Sequence, residues 1–177
     1  MIRILFNGHD FKFLNPLIEY CEKHPDYRVL MDYIPGHQMS HVETSSLLLN
    51  TADLIFCEWA LGNAEWYSFN KRPGQKLIIR LHAQEMNLDY LNRINWSSVD
   101  QVIFICPANM KIFLQRFPFM APRTIMIYNM IDCSDLGRTK LPGYRFNLGF
   151  IGTAPMRKSS HLAVEILEKL KQTDDRY

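Results

Sequence analysis

Lys76-Leu77-Ile78-Ile79-Arg80-Leu81 is a short, largely apolar run without polar alternation, the pattern of a strand covered on both faces. Five more such runs, at residues 2–6, 28–33, 53–57, 101–106 and 124–128, are equally short and rich in Ile, Val, Leu or Phe. Segments with helical spacing lie between them. Residues 13–23 put Leu14, Leu17, Ile18 and Cys21 on one stripe, residues 41–50 and 63–71 are shorter, and residues 108–116 carry Met110, Phe113 and Leu114, with Phe117 just beyond. Strand and helix alternating in this way predict an α/β fold with a doubly wound, Rossmann-like parallel sheet and right-handed crossovers. Residues 131–146 break the rhythm with Gly137, Pro142 and Gly143 and read as a linker between domains. A strand at Asn147-Leu-Gly-Phe-Ile151 and an amphipathic helix from about Ser160 follow. One strand and one helix cannot close a core, so residues 147–177 read as the opening of a truncated second domain after a first domain of residues 1–130.

Composition excludes several classes. A chain of 177 residues, 47% hydrophobic and 21% charged, matches ordinary globular usage and suits one domain and a fraction. A net charge of +2, with no run of five like charges, argues against a nucleic-acid partner. Cys21, Cys57, Cys106 and Cys133 are widely spaced without a CxxC pair and read as buried reduced thiols, which points to a reducing compartment. No signal peptide is evident and no segment approaches the roughly 18 apolar residues of a membrane span. The expected location is cytoplasmic, with peripheral contact at the inner membrane face compatible with the sequence.

In an open parallel sheet, ligands bind outside the carboxyl ends of the strands. The residues expected there are Asn7-Gly8-His9-Asp10, Glu58-Trp59, Gly62-Asn63, His82-Ala83-Gln84-Glu85 and Asn129. Amides and carboxylates take hydroxyl hydrogen bonds and an aromatic face covers the apolar side of a sugar ring, so this rim suits a carbohydrate. Each also has a structural reading: His9-Asp10 as a turn or helix cap, Glu58-Trp59 as a packing indole beside a solvated carboxylate. His82, directly after a buried strand with Glu85 three residues on, is the strongest candidate for a hydroxyl partner. His24, His37, His41 and His161 lack metal-ligand spacing and read as surface residues. Asn7-Gly-His-Asp-Phe-Lys12 has one glycine where a dinucleotide fingerprint needs three, and no P-loop occurs. Phosphate recognition fits the second unit better, where Gly152, the cations Arg157 and Lys158, and Ser159-Ser160 opening a helix come together in sequence.

Taken together, Leu148-Gly-Phe-Ile-Gly152 with Arg157-Lys158 and the following helix, Lys76-Leu-Ile-Ile-Arg-Leu-His-Ala-Gln-Glu85, Val99-Asp-Gln-Val-Ile-Phe-Ile105 and Ile127-Tyr-Asn-Met-Ile-Asp132 resemble, in order, motifs of GT-B glycosyltransferases, specifically glycosyltransferase family 4 or group 1. The resemblance implies sugar transfer from a nucleotide diphosphate sugar to a glycan or lipid-linked acceptor, in polysaccharide biosynthesis, with retention and with neither metal nor cofactor. It implies an acceptor-side first domain and a donor-side second one. Lys158, with Arg157 and Gly152, matches the residues on the donor diphosphate, where offsetting the charge of the leaving group is the main electrostatic task. His82 matches a histidine near the transferred sugar. Gly8, His9, Glu58, Trp59, Glu85 and Asn129 fall on the acceptor or cleft side, Gly8, His9 and Glu85 matching more loosely. Thr153 stands where the family often has an arginine. The family's two-glutamate motif has no counterpart here, so the resemblance implies a fragment that is inactive by itself and exposes the stripe Ala163, Ile166, Leu167 and Leu170, through which the 160–172 helix is expected to pack back on the first domain or self-associate. The competing expectation is a non-catalytic Rossmann-like carbohydrate-binding or scaffold domain.

Overall fold

The computed structural model describes every residue except Asp132, Thr153 and Ala154, and every side chain except also those of Asp135, Pro155 and Arg157. Its contacts divide the chain into two units, Met1–Ile131 and Asp132–Tyr177, so the predicted linker falls with the second.

The first unit is built on six strands: β1 (Ile2–Gly8), β2 (Tyr27–Tyr33), β3 (Leu54–Glu58), β4 (Lys76–Leu81), β5 (Gln101–Phe104) and β6 (Thr124–Met126). They form one sheet in the order 2-1-3-4-5-6, and every pairing is parallel. The helices α1 (Asn15–Lys23), α2 (Val42–Thr51), α3 (Gly62–Asn70), α4 (Tyr90–Arg93) and α5 (Pro107–Arg116) connect them. The doubly wound α/β reading is therefore correct, in the variant whose order reverses between β1 and β3.

Side-chain alternation along the strands divides the core in two. Ile4, Phe6, Phe56 and Ile103 pack with Leu14, Ile18 and Cys21 from α1 and the turn before it. Leu5, Ile55, Cys57, Ile79 and Phe104 face the other way, against Leu49, Ala64, Tyr67 and Phe113 from α2, α3 and α5. Central strands covered on both sides explain the continuous apolar runs. The connection from β4 to β5 contains the short helix α4 and two 3-10 turns, Glu85–Asn87 and Trp96–Ser98, which helical spacing did not reveal. Three- and four-residue elements hold too few apolar positions to show a period.

The second unit contains 3-10 turns at Ser134–Gly137 and Tyr144–Phe146 and the helices α6 (Pro155–Lys158) and α7 (Ser160–Thr173). The predicted strand at 147–151 is corrected: its residues have no strand assignment, and Leu148 and Phe150 are about half exposed. A strand is defined by its ladder partners, and the described residues of this unit supply none. The helix predicted from Ser160 is present. Ala163 and Leu167 are half-buried beside Leu148 and Phe150, while Leu162, Val164 and Ile166 remain exposed. Phe146 meets Tyr177 edge to face at 5.5 Å, tying the last residue to the 3-10 turn Tyr144–Phe146.

No helix among the described residues is long and apolar enough to cross a membrane. None of the four cysteines forms a disulfide. Cys21 and Cys57 are buried, Cys106 is intermediate and Cys133 is exposed, so the expectation of buried thiols fails for the last.

Candidate functional site at the sheet switch point

The crossover from β1 leaves toward one face of the sheet and the one from β3 toward the other, which opens a crevice at their carboxyl ends. Two contacts set the backbone there. Gly8 ends β1 with φ +154, and a Cβ on it would stand 2.7 Å from the Glu58 carbonyl, so only glycine lets β1 run so close to β3. Gly62 opens α3, and its N–H donates to the His37 carbonyl at 2.9 Å, with no room for a side chain between them. The loop after β2 is thereby drawn onto the rim.

Glu58 and Arg80 are register partners on β3 and β4, and His82 lies two residues beyond Arg80 on the same face. All three are buried. Arg80 Nη1 donates to Glu58 Oε1 at 3.0 Å, and His82 Nε2 lies 2.8 Å from the same oxygen. Glu58 Oε2 has no hydrogen-bond partner. Arg80 also donates to Asn129 Oδ1 and, at 3.4 Å, to the Phe13 carbonyl. A buried charge is tolerated only when paired, and this cluster pairs it across three strand-end segments.

Trp59 covers the cluster. Its ring stacks on His82 with centroids 3.9 Å apart and planes 24° from parallel, and its Nε1 donates to the Asp10 carbonyl at 3.0 Å. Its backbone has φ +69, a left-handed conformation that costs a non-glycine residue about 1–2 kcal/mol and persists only where the surroundings enforce it. Ala60 N–H and His82 N–H both donate to Glu85 Oε1, at 2.9 and 3.1 Å, so Glu85 is a strut between the turns after β3 and β4. Burial pushes the Glu85 carboxyl above its usual range against the pull of those amides.

The rim above this floor is aromatic and polar. His9 lies 5.0 Å from Trp59 and 5.3 Å from His37, ring centroid to centroid, and Gln84 Nε2 is 3.0 Å from His37 Nε2. Burial first, and His37 second, hold His9 below the usual imidazole value. Asp10 makes a turn, accepting from Lys12 N–H at 3.0 Å and pairing with Lys12 Nζ at 2.6 Å, and does not cap α1.

The structure thus brings Gly8, His9, Glu58, Trp59, His82, Glu85 and Asn129 to one region. Glu58, His82 and Glu85 form its floor, and Trp59 is neither a packing side chain alone nor an open platform. Asn7 and Asn63 hold the scaffold: Asn63 Nδ2 donates to Asn7 Oδ1 at 2.9 Å and to the Glu58 carbonyl at 3.1 Å, and Asn7 Nδ2 to the Phe56 carbonyl at 3.1 Å. Arg80 was missed, and His37, exposed as the surface reading expects, was not placed on this rim. A cation inside an otherwise apolar strand flags the first, and applying the strand-end rule to β2 finds the second.

In the second unit Gly152 and Lys158 are adjacent, with the Lys158 stem within 3.2 Å of the position of a Gly152 Cβ. Lys158 is exposed. The Arg157 side chain, Thr153 and Asp132 lie outside the described residues. Ser159 precedes α7 in a left-handed conformation and makes no side-chain cap. Among the described residues no group of three His, Cys, Asp or Glu is placed to hold a metal.

No family model matches the chain, and no curated protein matches its sequence. Fold and site define a doubly wound, Rossmann-like α/β protein with a histidine–carboxylate cluster at the switch point of its sheet.

Proposed function

We propose that this chain belongs to a retaining glycosyltransferase that moves a sugar from a nucleotide diphosphate sugar to a glycan or lipid-linked acceptor without a metal. In this reading Met1–Ile131 is the acceptor-side unit, and Lys158, with Arg157 and Gly152, neutralises the donor diphosphate. The observation that carries the proposal is His82 at the end of β4, its ring held by Glu58 and stacked on Trp59, at the edge of the sheet where such folds bind ligands. The four motifs in family order support it independently. A carbohydrate offers hydroxyls to the polar atoms here and an apolar ring face to His9, Phe13 and His37. The nucleotide sugar is a substrate, and no cofactor enters the reading.

The test is to incubate the full-length gene product with UDP-, GDP- and ADP-sugars, with and without candidate acceptors, and to follow nucleotide diphosphate release. Release that Lys158→Ala abolishes supports the reading, whereas no release or binding with any donor sinks it.

One observation favours a second reading, a non-catalytic carbohydrate-binding or scaffold domain: Glu58, His82 and Glu85 are buried and bonded to their neighbours. Saccharide binding without turnover of any donor would select it.

A further inference from the structure

We infer that the cleft between α3 and α4 is a saccharide subsite that holds the sugar units of an acceptor glycan behind its reacting end. That the saccharide is an acceptor rests on the glycosyltransferase reading. That the cleft takes a saccharide rests on its own side chains.

The cleft has a volume of about 410 Å³, and Trp66, Phe69, Tyr90 and the pair Glu65–Arg93 are among its walls. Trp66 and Phe69 stand three residues apart on α3 and so share a face, as Tyr90 and Arg93 do on α4. Phe69 is 66% exposed. One exposed aromatic needs no account, but three around one cleft form a patch that marks a binding surface.

The polar groups of the cleft are held in place. Arg93 Nε pairs with Glu65 Oε2 at 3.0 Å, joining the two helices, and its guanidinium lies 4.5 Å from the centre of the Tyr90 ring. The Trp66 indole meets Tyr67 edge to face at 4.8 Å, and Tyr67 is buried and donates to Asp32 Oδ2 at 2.6 Å. Trp59 and Trp96 each give the indole N–H to a backbone carbonyl, at 3.0 and 2.9 Å. The half-buried Trp66 differs: its indole N–H makes no hydrogen bond among the described residues, where a buried indole ordinarily has one.

A pyranose matches this lining. Its apolar C–H face covers the aromatic rings, and its hydroxyls accept from the indole N–H and the guanidinium and donate to the Glu65 carboxylate. Asn70 spends Nδ2 on the Trp66 carbonyl at 2.8 Å, which leaves its Oδ1 for a ligand. The Glu65–Arg93 pair carries no net charge, so an anionic ligand would gain from Arg93 only by facing Glu65. A neutral saccharide avoids that repulsion.

The cleft adjoins the rim at the switch point. Gly62 lines it at the start of α3 and donates its N–H to the His37 carbonyl at 2.9 Å. Residues 37–39 therefore give His37 to the rim and Gln38 and Met39 to the cleft. A glycan whose end lies at the rim continues past His37 into the cleft within the first unit. The resemblance assigns no role to α3 or α4, so the subsite goes beyond it.

The test titrates the chain with neutral pentasaccharides of glucose, N-acetylglucosamine, mannose and galactose, and with the four monosaccharides. The chain carries three tryptophans, and Trp66→Phe assigns the indole signal of interest in 1H–15N spectra. At least one pentasaccharide is expected to shift the Trp66 signal saturably, and to shift it more than its monosaccharide does. Phe69→Ala, at an exposed position, is expected to raise Kd about 5–10-fold, and Phe69→Tyr to restore it. No shift of Trp66 with any saccharide overturns the subsite, as does binding that a folded Phe69→Ala protein leaves at wild-type strength. A Trp66 signal that moves with protein concentration alone assigns the cleft to a second copy of the chain and overturns it too. With a donor that supports turnover, Phe69→Ala is expected to raise KM for the pentasaccharide acceptor more than for the monosaccharide. Saccharide bound at Trp66 without turnover of any donor keeps the subsite and sinks the transferase reading, whereas turnover with Trp66 unmoved does the reverse.

Discussion

The Glu58–His82 cluster and the Gly152–Lys158 segment carry the two halves of the proposed chemistry and are built in opposite ways. In the first, residues more than twenty positions apart converge because adjacent strands bring their ends together, and Glu58, Arg80 and His82 are all buried. In the second, two residues six positions apart meet through local backbone, and the cation is exposed. The difference teaches that function and stability are fused in the cluster and separable in the segment.

Substitution at Glu58 is the strongest way to test that contrast. Glu58→Ala leaves Arg80 buried without its counter-charge and His82 Nε2 without its acceptor, a change expected to cost about 3–5 kcal/mol in urea denaturation. Lys158→Ala is expected to stay within about 0.5 kcal/mol of wild type while abolishing nucleotide release. Equal stability losses for the two would break the comparison. Gly8→Ala comes next, because its Cβ meets the Glu58 carbonyl and its φ is unfavourable. A loss of more than about 1 kcal/mol, read from the same melts, is expected.

Two carboxyl groups sharpen the comparison through pH. Burial favours the neutral form of Asp100, but Lys71, Lys76 and the Leu77 N–H outweigh it and hold the group down to about 2. Its folded pKa is depressed, so its stabilisation is present above the usual 3.8 and is lost as pH falls toward 2. Glu85 runs the other way. Burial raises its folded pKa, so the native state binds more protons, and stability falls as pH rises above the usual 4.5. Denaturation at pH 5 and pH 7 is expected to differ less in Glu85→Gln, which keeps an acceptor for Ala60 and His82 but cannot ionise. An unchanged difference would remove Glu85 from the account.

The smallest effect concerns α7. Its exposed Leu162, Val164 and Ile166 are expected to support weak self-association, read by sedimentation equilibrium and reduced in Ile166→Asp. A monomer at all concentrations would remove this face from the list of contacts.

The strands of the first unit were legible because burial on both faces leaves no room for polar residues along their middles. The predicted strand at 147–151 has the same apolar look and failed, because a ladder needs a partner that composition does not record. His82 was legible from its place after β4. Its partners were not: Glu58 sits on another strand, and Arg80 gains meaning only once β3 and β4 are in register. His37 has an ordinary surface sequence context and reaches the rim because Gly62 holds its carbonyl.

The sequence by itself determined the α/β class, the apolar strand cores, and which residues stand at strand ends, since these follow from local periodicity and from the rule that ligands gather at carboxyl ends. Only the tertiary structure decided the strand order 2-1-3-4-5-6, and with it the switch point between β1 and β3. It alone gave Glu58 to both Arg80 and His82 and seated the Trp59 indole on the imidazole. Hydrogen bonds and ring contacts depend on register and backbone placement to within about half an ångström, and no periodicity along a single chain encodes that.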